Sequence, residues 1–147
     1  MTHTLAPATA SDWPALRALL AASDLPTSDL EPGHASRFLV VRDGEAVVGC
    51  VAIEPYGDAG LLRSLAVAPD ARAQGLGSRL VDAAETRARD LGIRTLYLLT
   101  TTAASFFAAR GYDPVERADA PEAIRQSSEF ASVCPSTAAC LGKPLSP

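Results

Sequence analysis

Apolar residues along this chain change their period several times, and each change marks an element. Residues 11–22 (SDWPALRALLAA) place Leu16, Leu19 and Leu20 at helical spacing behind a Ser/Asp cap, with Pro14 in the first turn. A short strand around residues 4–7 is predicted ahead of that helix. Residues 25–35 are rich in Pro, Gly and Asp and read as a loop with one helical turn. Two apolar runs follow, RFLVVR over 37–42 and AVVGCVAI over 46–53, separated by Asp43-Gly44. That pattern predicts a β-hairpin whose two turn residues both take positive φ. Residues 55–60 turn the chain again, and 61–67 form the next strand.

From Gly75 onward, Leu76, Leu80, Ala83, Ala84, Ala88 and Leu91 fall at steps of three and four. They predict one buried stripe over about four helical turns. Glu85 and Arg89 are spaced to pair on the exposed face, and Gly92 ends the helix. TLYLL at 95–99 has the character of a buried strand, and AASFFAAR at 103–110 that of a short helix closed by Gly111. A strand near 115–117, a helix from about Pro121 and a last strand near 138–141 complete the pattern. Without a repeat or a linker, residues 1–147 are expected to form one α/β domain.

Composition narrows the function classes. With 147 residues, 48% hydrophobic and 20% charged, the chain is large enough to bury a core. A net charge of −4 argues against a general nucleic-acid binder, which needs a basic face. Residues 1–11 lack a cationic start followed by an apolar run, so no secretory signal is expected. Residues 95–109 are too short to span a bilayer and carry Thr95, Thr100, Thr101, Thr102 and Ser105. A soluble, cytoplasmic protein is expected, with neither nucleic acid nor membrane as partner. Cys50, Cys134 and Cys140 make neither an even disulfide set nor a metal-binding pair, and read as packing residues. His3 and His34 read as surface residues and Trp13 as packing at a helix start, so no metal site is expected.

The candidate chemistry lies between the strand at 61–67 and the helix that follows, in Arg72-Ala73-Gln74-Gly75-Leu76-Gly77-Ser78. Amides at a helix N-terminus lack intrahelical partners, and glycines let phosphates approach that backbone. A pyrophosphate seat is the natural reading. A Walker loop requires a Lys after the glycines, and none follows Gly77. A dinucleotide fingerprint requires a third glycine at position 80, which is Leu80.

The motif that fits is Q/R-x-x-G-x-G/A, filled by Arg72, Gln74, Gly75 and Gly77 after LAVAP at 65–69. With the first helix, the hairpin and the segment FFAARGY, the chain resembles the GNAT superfamily of acetyl-CoA-dependent N-acetyltransferases. The resemblance implies a mixed central sheet of about six to seven strands with flanking helices, an α/β fold. It implies that backbone groups of Leu65, Ala66 and Val67 pair with the pantetheine arm of acetyl-CoA. Arg72, Ala73, Gln74, Gly75, Leu76, Gly77 and Ser78 would wrap the pyrophosphate. Thr101 and the helix around Phe106 and Phe107 would border the thioester. A homodimer is a further implication of the family.

Two positions depart from the family pattern. The strand glutamate that many members use as general base is Arg63, followed by Ser64, and the tyrosine that protonates the departing thiolate is Phe107. Arginine stays protonated and phenylalanine has no hydroxyl. Glu54, or water, is then the candidate base; Glu54 reads otherwise as a solvated charge at a strand end. Arg63 offers a planar fork for a carboxylate on the acceptor, with Ser64, Thr101 and Thr102 as further polar contacts, or else forms a structural ion pair with one of the seventeen acidic residues.

A narrower resemblance, carried by GLLRSLAV, LYLLTTTAASFFAARGY and the tail RADAPEAIRQSSEFASVCPSTAACL, is to the arsenic-resistance-associated branch of these acetyltransferases. It implies a small amine acceptor bearing an acid group, such as an organoarsenical amino acid. In the tail, Arg117, Arg125, Glu129 and Phe130 would close over that acceptor or serve packing and surface. Rival readings are a general amine or protein N-terminal acetyltransferase, and a non-catalytic acetyl-CoA-binding module.

Overall fold

The computed structural model describes residues 3–23, 25, 30, 32–71, 75–101, 103–127, 130 and 138–145. Its strands are β1 (His3–Pro7), β2 (Phe38–Asp43), β3 (Ala46–Tyr56), β4 (Ala59–Val67), β5 (Thr95–Thr100), β6 (Asp113–Pro114) and β7 (Ala139–Pro144). Its α-helices among the described residues are α1 (Trp13–Ala22), α2 (Leu76–Asp90), α3 (Ala104–Ala108) and α4 (Glu122–Arg125). The strands form one seven-stranded sheet in the order β1-β2-β3-β4-β5-β7-β6. The sheet is mixed: β4 pairs with β5 in parallel, whereas β1–β2, β2–β3, β5–β7 and β6–β7 are antiparallel. This is the mixed α/β architecture the sequence implied. The chain divides into two compact units, Met1–Ile53 with Ser64–Thr86, and Glu54–Arg63 with Arg87–Pro147.

In the first unit α1 carries the Leu16, Leu19 and Leu20 stripe, and all three are buried. A 3₁₀ turn, Ala10–Asp12, leads into it; the Asp12 carboxylate accepts the Thr9 backbone N–H at 2.7 Å and pairs with Arg42 of β2. The core joins Leu16 and Leu20 of α1 to Phe38 and Val40 of β2, Cys50 and Ala52 of β3 and Ala66 of β4, with Trp13 packed against it. Helix α2 buries Leu76, Leu80, Val81 and Ala84. It lies close to β3 because Gly49 has no side chain: a Cβ there would stand 3.1 Å from Leu80 Cδ1.

Several local expectations shift. The first hairpin turns at Gly44 and Glu45, with Asp43 the last residue of β2, paired to Ala46. Gly44 alone of the Asp43-Gly44 pair takes positive φ (63°), and the strand register shifts between Val41 and Arg42. The second hairpin is longer than the sequence suggested, because β3 runs through Pro55 to Tyr56. Glu85 is buried rather than on the exposed face, and Leu91, counted in the stripe, is exposed because α2 ends one residue before it.

In the second unit β4 pairs with β5 from Ala59↔Thr95 to Leu61↔Tyr97, and β5 pairs with β7 from Thr95↔Pro144 to Thr100↔Ala139. Leu61, Leu99, Ile124, Phe130 and Cys140 share its core. Strand β6 is Asp113–Pro114, not residues 115–117. Val115 still donates its N–H to the Cys140 carbonyl at 2.9 Å, but Arg117 opens a 3₁₀ turn to Asp119 that takes the chain off the edge.

Burial works to raise the Asp12 pKa, but the Thr9 N–H and the Arg42 guanidinium outweigh it and hold the carboxyl below its ordinary 3.8. A depressed folded value contributes stability that is complete above the unfolded value and lost as pH falls through the folded one. Asp12→Asn is therefore expected to cost about 0.5–1 kcal/mol at neutral pH. Urea denaturation across pH 7 to 2.5 should show that gap closing below pH 3.8.

Candidate functional site

The turn into α2 has the geometry of a helix N-terminus opened by a left-handed glycine. After β4, the Ala68 N–H donates to the Val48 carbonyl at 2.8 Å and a 3₁₀ turn, Pro69–Ala71, redirects the chain. Arg72, Ala73 and Gln74 lie outside the described residues. Gly75 has φ 74°, and a Cβ there would meet nothing within 4 Å. Glycine is thus required for its dihedral rather than for room. The helical ladder is under way at Arg79, whose N–H donates to the Gly75 carbonyl at 3.2 Å. Leu76 is buried and anchors the turn, while Gly77 and Ser78 are half-buried. Backbone amides and the positive end of a 15-residue helix are what an anionic group would meet here.

The strand leading to this turn is interrupted. Ser64 has φ 60°, alone among the described non-glycine residues in the left-handed region. That conformation costs an ordinary residue about 1–2 kcal/mol and needs support from its surroundings. Support comes from β3, where the buried Cys50 thiol donates to the Ser64 carbonyl, Sγ to O 3.4 Å. Burial pushes the Cys50 thiol up to about 12 against the opposing Ala66 backbone hydrogen bond, so it keeps its proton at any physiological pH. Beyond the break, Leu65 and Val67 are half-buried and Ala66 is buried, the alternation of a strand with one face covered. Nothing in the string Arg-Ser-Leu marks this break, since serine carries no preference for positive φ.

On the hairpin of the second unit, Glu54, Tyr56 and Arg63 come together. The Tyr56 hydroxyl donates to Glu54 Oε1 at 3.0 Å, and Arg63 Nη1 approaches Glu54 Oε2 at 3.5 Å. Glu54 is not a solvated strand-end charge: it sits inside β3 and is 6% exposed. The Arg63 side chain is fully buried and forms an ion pair with Glu54. Tyr56 escaped the sequence reading, although residues two apart on a strand share a face and Glu54-Pro55-Tyr56 has that spacing.

Around the third helix the rings divide their tasks. Phe107 is buried and meets Phe106 edge-on at 5.1 Å and Tyr112 at 5.3 Å. Phe106 is half-buried, with the Arg110 guanidinium 5.0 Å over its ring. Thr101 is exposed, and its neighbour Thr100 accepts the Ala103 N–H at 2.9 Å. Thr102, Glu129 and Cys134 lie outside the described residues. The tail residues that are described serve the core: Arg117 donates to the Ala138 carbonyl, Arg125 to the Ala120 carbonyl, and Phe130 is buried. Cys140 is buried, and its thiol is raised by desolvation against the pull of Arg117. His3 and His34 are half-buried. Among the described residues no group of His, Cys, Asp and Glu is arranged to hold a metal ion, and no helix is long and apolar enough to cross a membrane.

Comparison with known proteins places these features in context. Residues 34–114 match the family model described as the acetyltransferase (GNAT) domain. An amino-acid acetyltransferase of Azotobacter vinelandii is 46% identical over 101 residues, 63% of this chain and 23% of that protein. An amino-acid acetyltransferase of Pseudomonas aeruginosa is 42% identical over 91 residues, 59% of this chain and 21% of that protein. The chain thus spans less than a quarter of the curated relatives it matches. In fold it is similar to N-acetylglutamate synthase from Neisseria gonorrhoeae, solved with coenzyme A and N-acetyl-glutamate. The TM-score is 0.88 at 24% identity, over 100% of this chain and 36% of that one. Both of these relatives are amino-acid acetyltransferases, and the narrower resemblance to the arsenic-resistance branch gains no support of its own from them.

Removing one member of a buried ion pair strands the other. Arg63→Ala is expected to cost about 3 kcal/mol in denaturant unfolding, and Glu54→Gln with Arg63→Met clearly less. A double-mutant cycle over the pair should return a favourable coupling energy.

Proposed function

Because this chain belongs to the GNAT acetyltransferase family, we propose that it transfers the acetyl group of acetyl-CoA to the amine of a small amino acid that carries an acid group. One observation carries the reading: a strand broken at Ser64 runs into a left-handed Gly75 that opens α2. Backbone of Leu65, Ala66 and Val67 pairs with the pantetheine arm. The turn from Arg72 to Ser78 takes the pyrophosphate, and Thr101 with Phe106 and Phe107 borders the thioester. The amino-acid acceptor is supported by the similarity to amino-acid acetyltransferases. An organoarsenical analogue of glutamate belongs to the same chemical class.

In the transfer the amine nitrogen forms a bond to the thioester carbonyl carbon and the C–S bond breaks. An ammonium acceptor gives up one proton before attack and a second as the intermediate collapses. We assign the first proton to Glu54, whose carboxylate is an acceptor on both oxygens and is fixed by Tyr56 and Arg63. Arg63 then acts through Glu54, as a positioning residue. The second proton goes from nitrogen to the departing sulfur directly or through water, so no hydroxyl is required at position 107. Orienting amine against thioester supplies much of the remaining acceleration.

The test is release of CoA thiol on incubation with acetyl-CoA and glutamate, neutral amino acids, organoarsenical glutamate analogues, polyamines or peptide N-termini. Turnover confined to acidic amino acids and their analogues is expected. Release with polyamines or peptides would make the protein a general acetyltransferase, and acetyl-CoA binding without turnover would make it a non-catalytic module. Glu54→Gln should lower kcat about a hundredfold near neutrality, with the deficit shrinking as rising pH frees the amine unaided.

A further inference from the structure

Strands β3 and β4 are joined at the break by a side chain. Cys50 is 0% exposed in the core of its unit, among Leu16, Phe38, Val40 and Ala66, and its thiol meets the carbonyl of the left-handed Ser64. A left-handed residue interrupts the alternation of carbonyl directions along a strand, and its carbonyl then needs a donor placed where the regular ladder does not supply one. A thiol suits that place. It is apolar enough to pack among leucine, valine and phenylalanine, yet it carries a proton to donate. Valine would fill the core but bring no donor of its own, whereas serine would be a stronger donor with less bulk.

We propose that Cys50 is a positioning residue for acetyl transfer, its thiol–carbonyl contact holding Ser64 in the left-handed conformation and so fixing where the backbone of Leu65–Val67 meets the pantetheine arm. This rests on the acetyltransferase reading and deepens it. The pyrophosphate seat at the start of α2 does not involve the Cys50 side chain. Loss of the contact is therefore expected to misplace the thioester and lower kcat, with little change in acetyl-CoA affinity.

Two substitutions separate donation from packing. Cys50→Val keeps the apolar bulk and removes the donor; Cys50→Ser keeps a donor and gives up bulk. Cys50→Val is expected to lower kcat about tenfold with the acetyl-CoA KM changed by less than about twofold, since a small misplacement at the reacting atoms is costly. Cys50→Ser should retain most of the wild-type kcat. The reverse order, Val active and Ser impaired, would show that Cys50 only packs, and would overturn the proposal. The Cα shift and HN–Hα coupling of Ser64, measured by NMR in each protein, report its φ without any turnover. Ser64 should leave the left-handed region in Cys50→Val and stay there in Cys50→Ser. A Ser64 that remains left-handed in the valine variant also overturns the proposal. If wild type binds acetyl-CoA but acetylates no acceptor, the functional reading fails, while the Ser64 measurement still decides the Cys50 contact. If Cys50→Val does not fold, Cys50→Ser decides alone: loss of kcat or of the left-handed Ser64 there overturns it.

Discussion

A strand buried from Ala59 through Ser64 cannot offer its backbone to a ligand unless its regular course is broken, and in this protein Ser64 breaks it. The break costs conformational energy, because a Cβ is forced into the left-handed region. Cys50 binds the Ser64 carbonyl from β3. The residue immediately before, Arg63, is held by its ion pair with Glu54. The proposed chemistry depends on that bend, since it sets the direction of Leu65–Val67 and of the chain that enters α2.

The small residues around the site follow from the same geometry. Gly49 brings α2 close to β3, and Gly75 opens the helix with a dihedral that a side chain would strain. A helix end placed after a strand end concentrates unpartnered amides and the positive end of the dipole at one point. No lysine is needed for an anion to be held there, which agrees with an acidic chain of net charge −4.

The departures from the family pattern concern proton handling rather than binding. With Arg63 on β4 where many members carry glutamate, the carboxylate of this hairpin is Glu54 on β3. Tyr56 and Arg63 both donate to it, so it is held as an acceptor in a site where a free side chain would swing. A buried ion pair seldom adds net stability over well-packed apolar residues, which is compatible with the role proposed for this carboxylate. Phe107, lacking a hydroxyl, serves the core beside Tyr112.

Much of the fold was legible along the chain. The Leu16, Leu19 and Leu20 stripe, the strands around the two hairpins, and the Gly75 turn into α2 are local patterns, and local patterns follow from backbone geometry over a few residues. The glycine turn proposed for the pyrophosphate was legible for the same reason, because glycine spacing and a helix start are contiguous. Other features depend on residues distant in sequence. Helical period alone did not reveal that Glu85 is buried, nor that α2 stops short of Leu91. Cys50 lies fourteen positions from Ser64 and Glu54 nine from Arg63. Their pairing is set by strand register, which no single segment contains. The sequence by itself determined the elements, their order and the glycine turn into α2; only tertiary packing decided the left-handed Ser64 and the Glu54–Arg63–Tyr56 group, because each rests on a contact between strands.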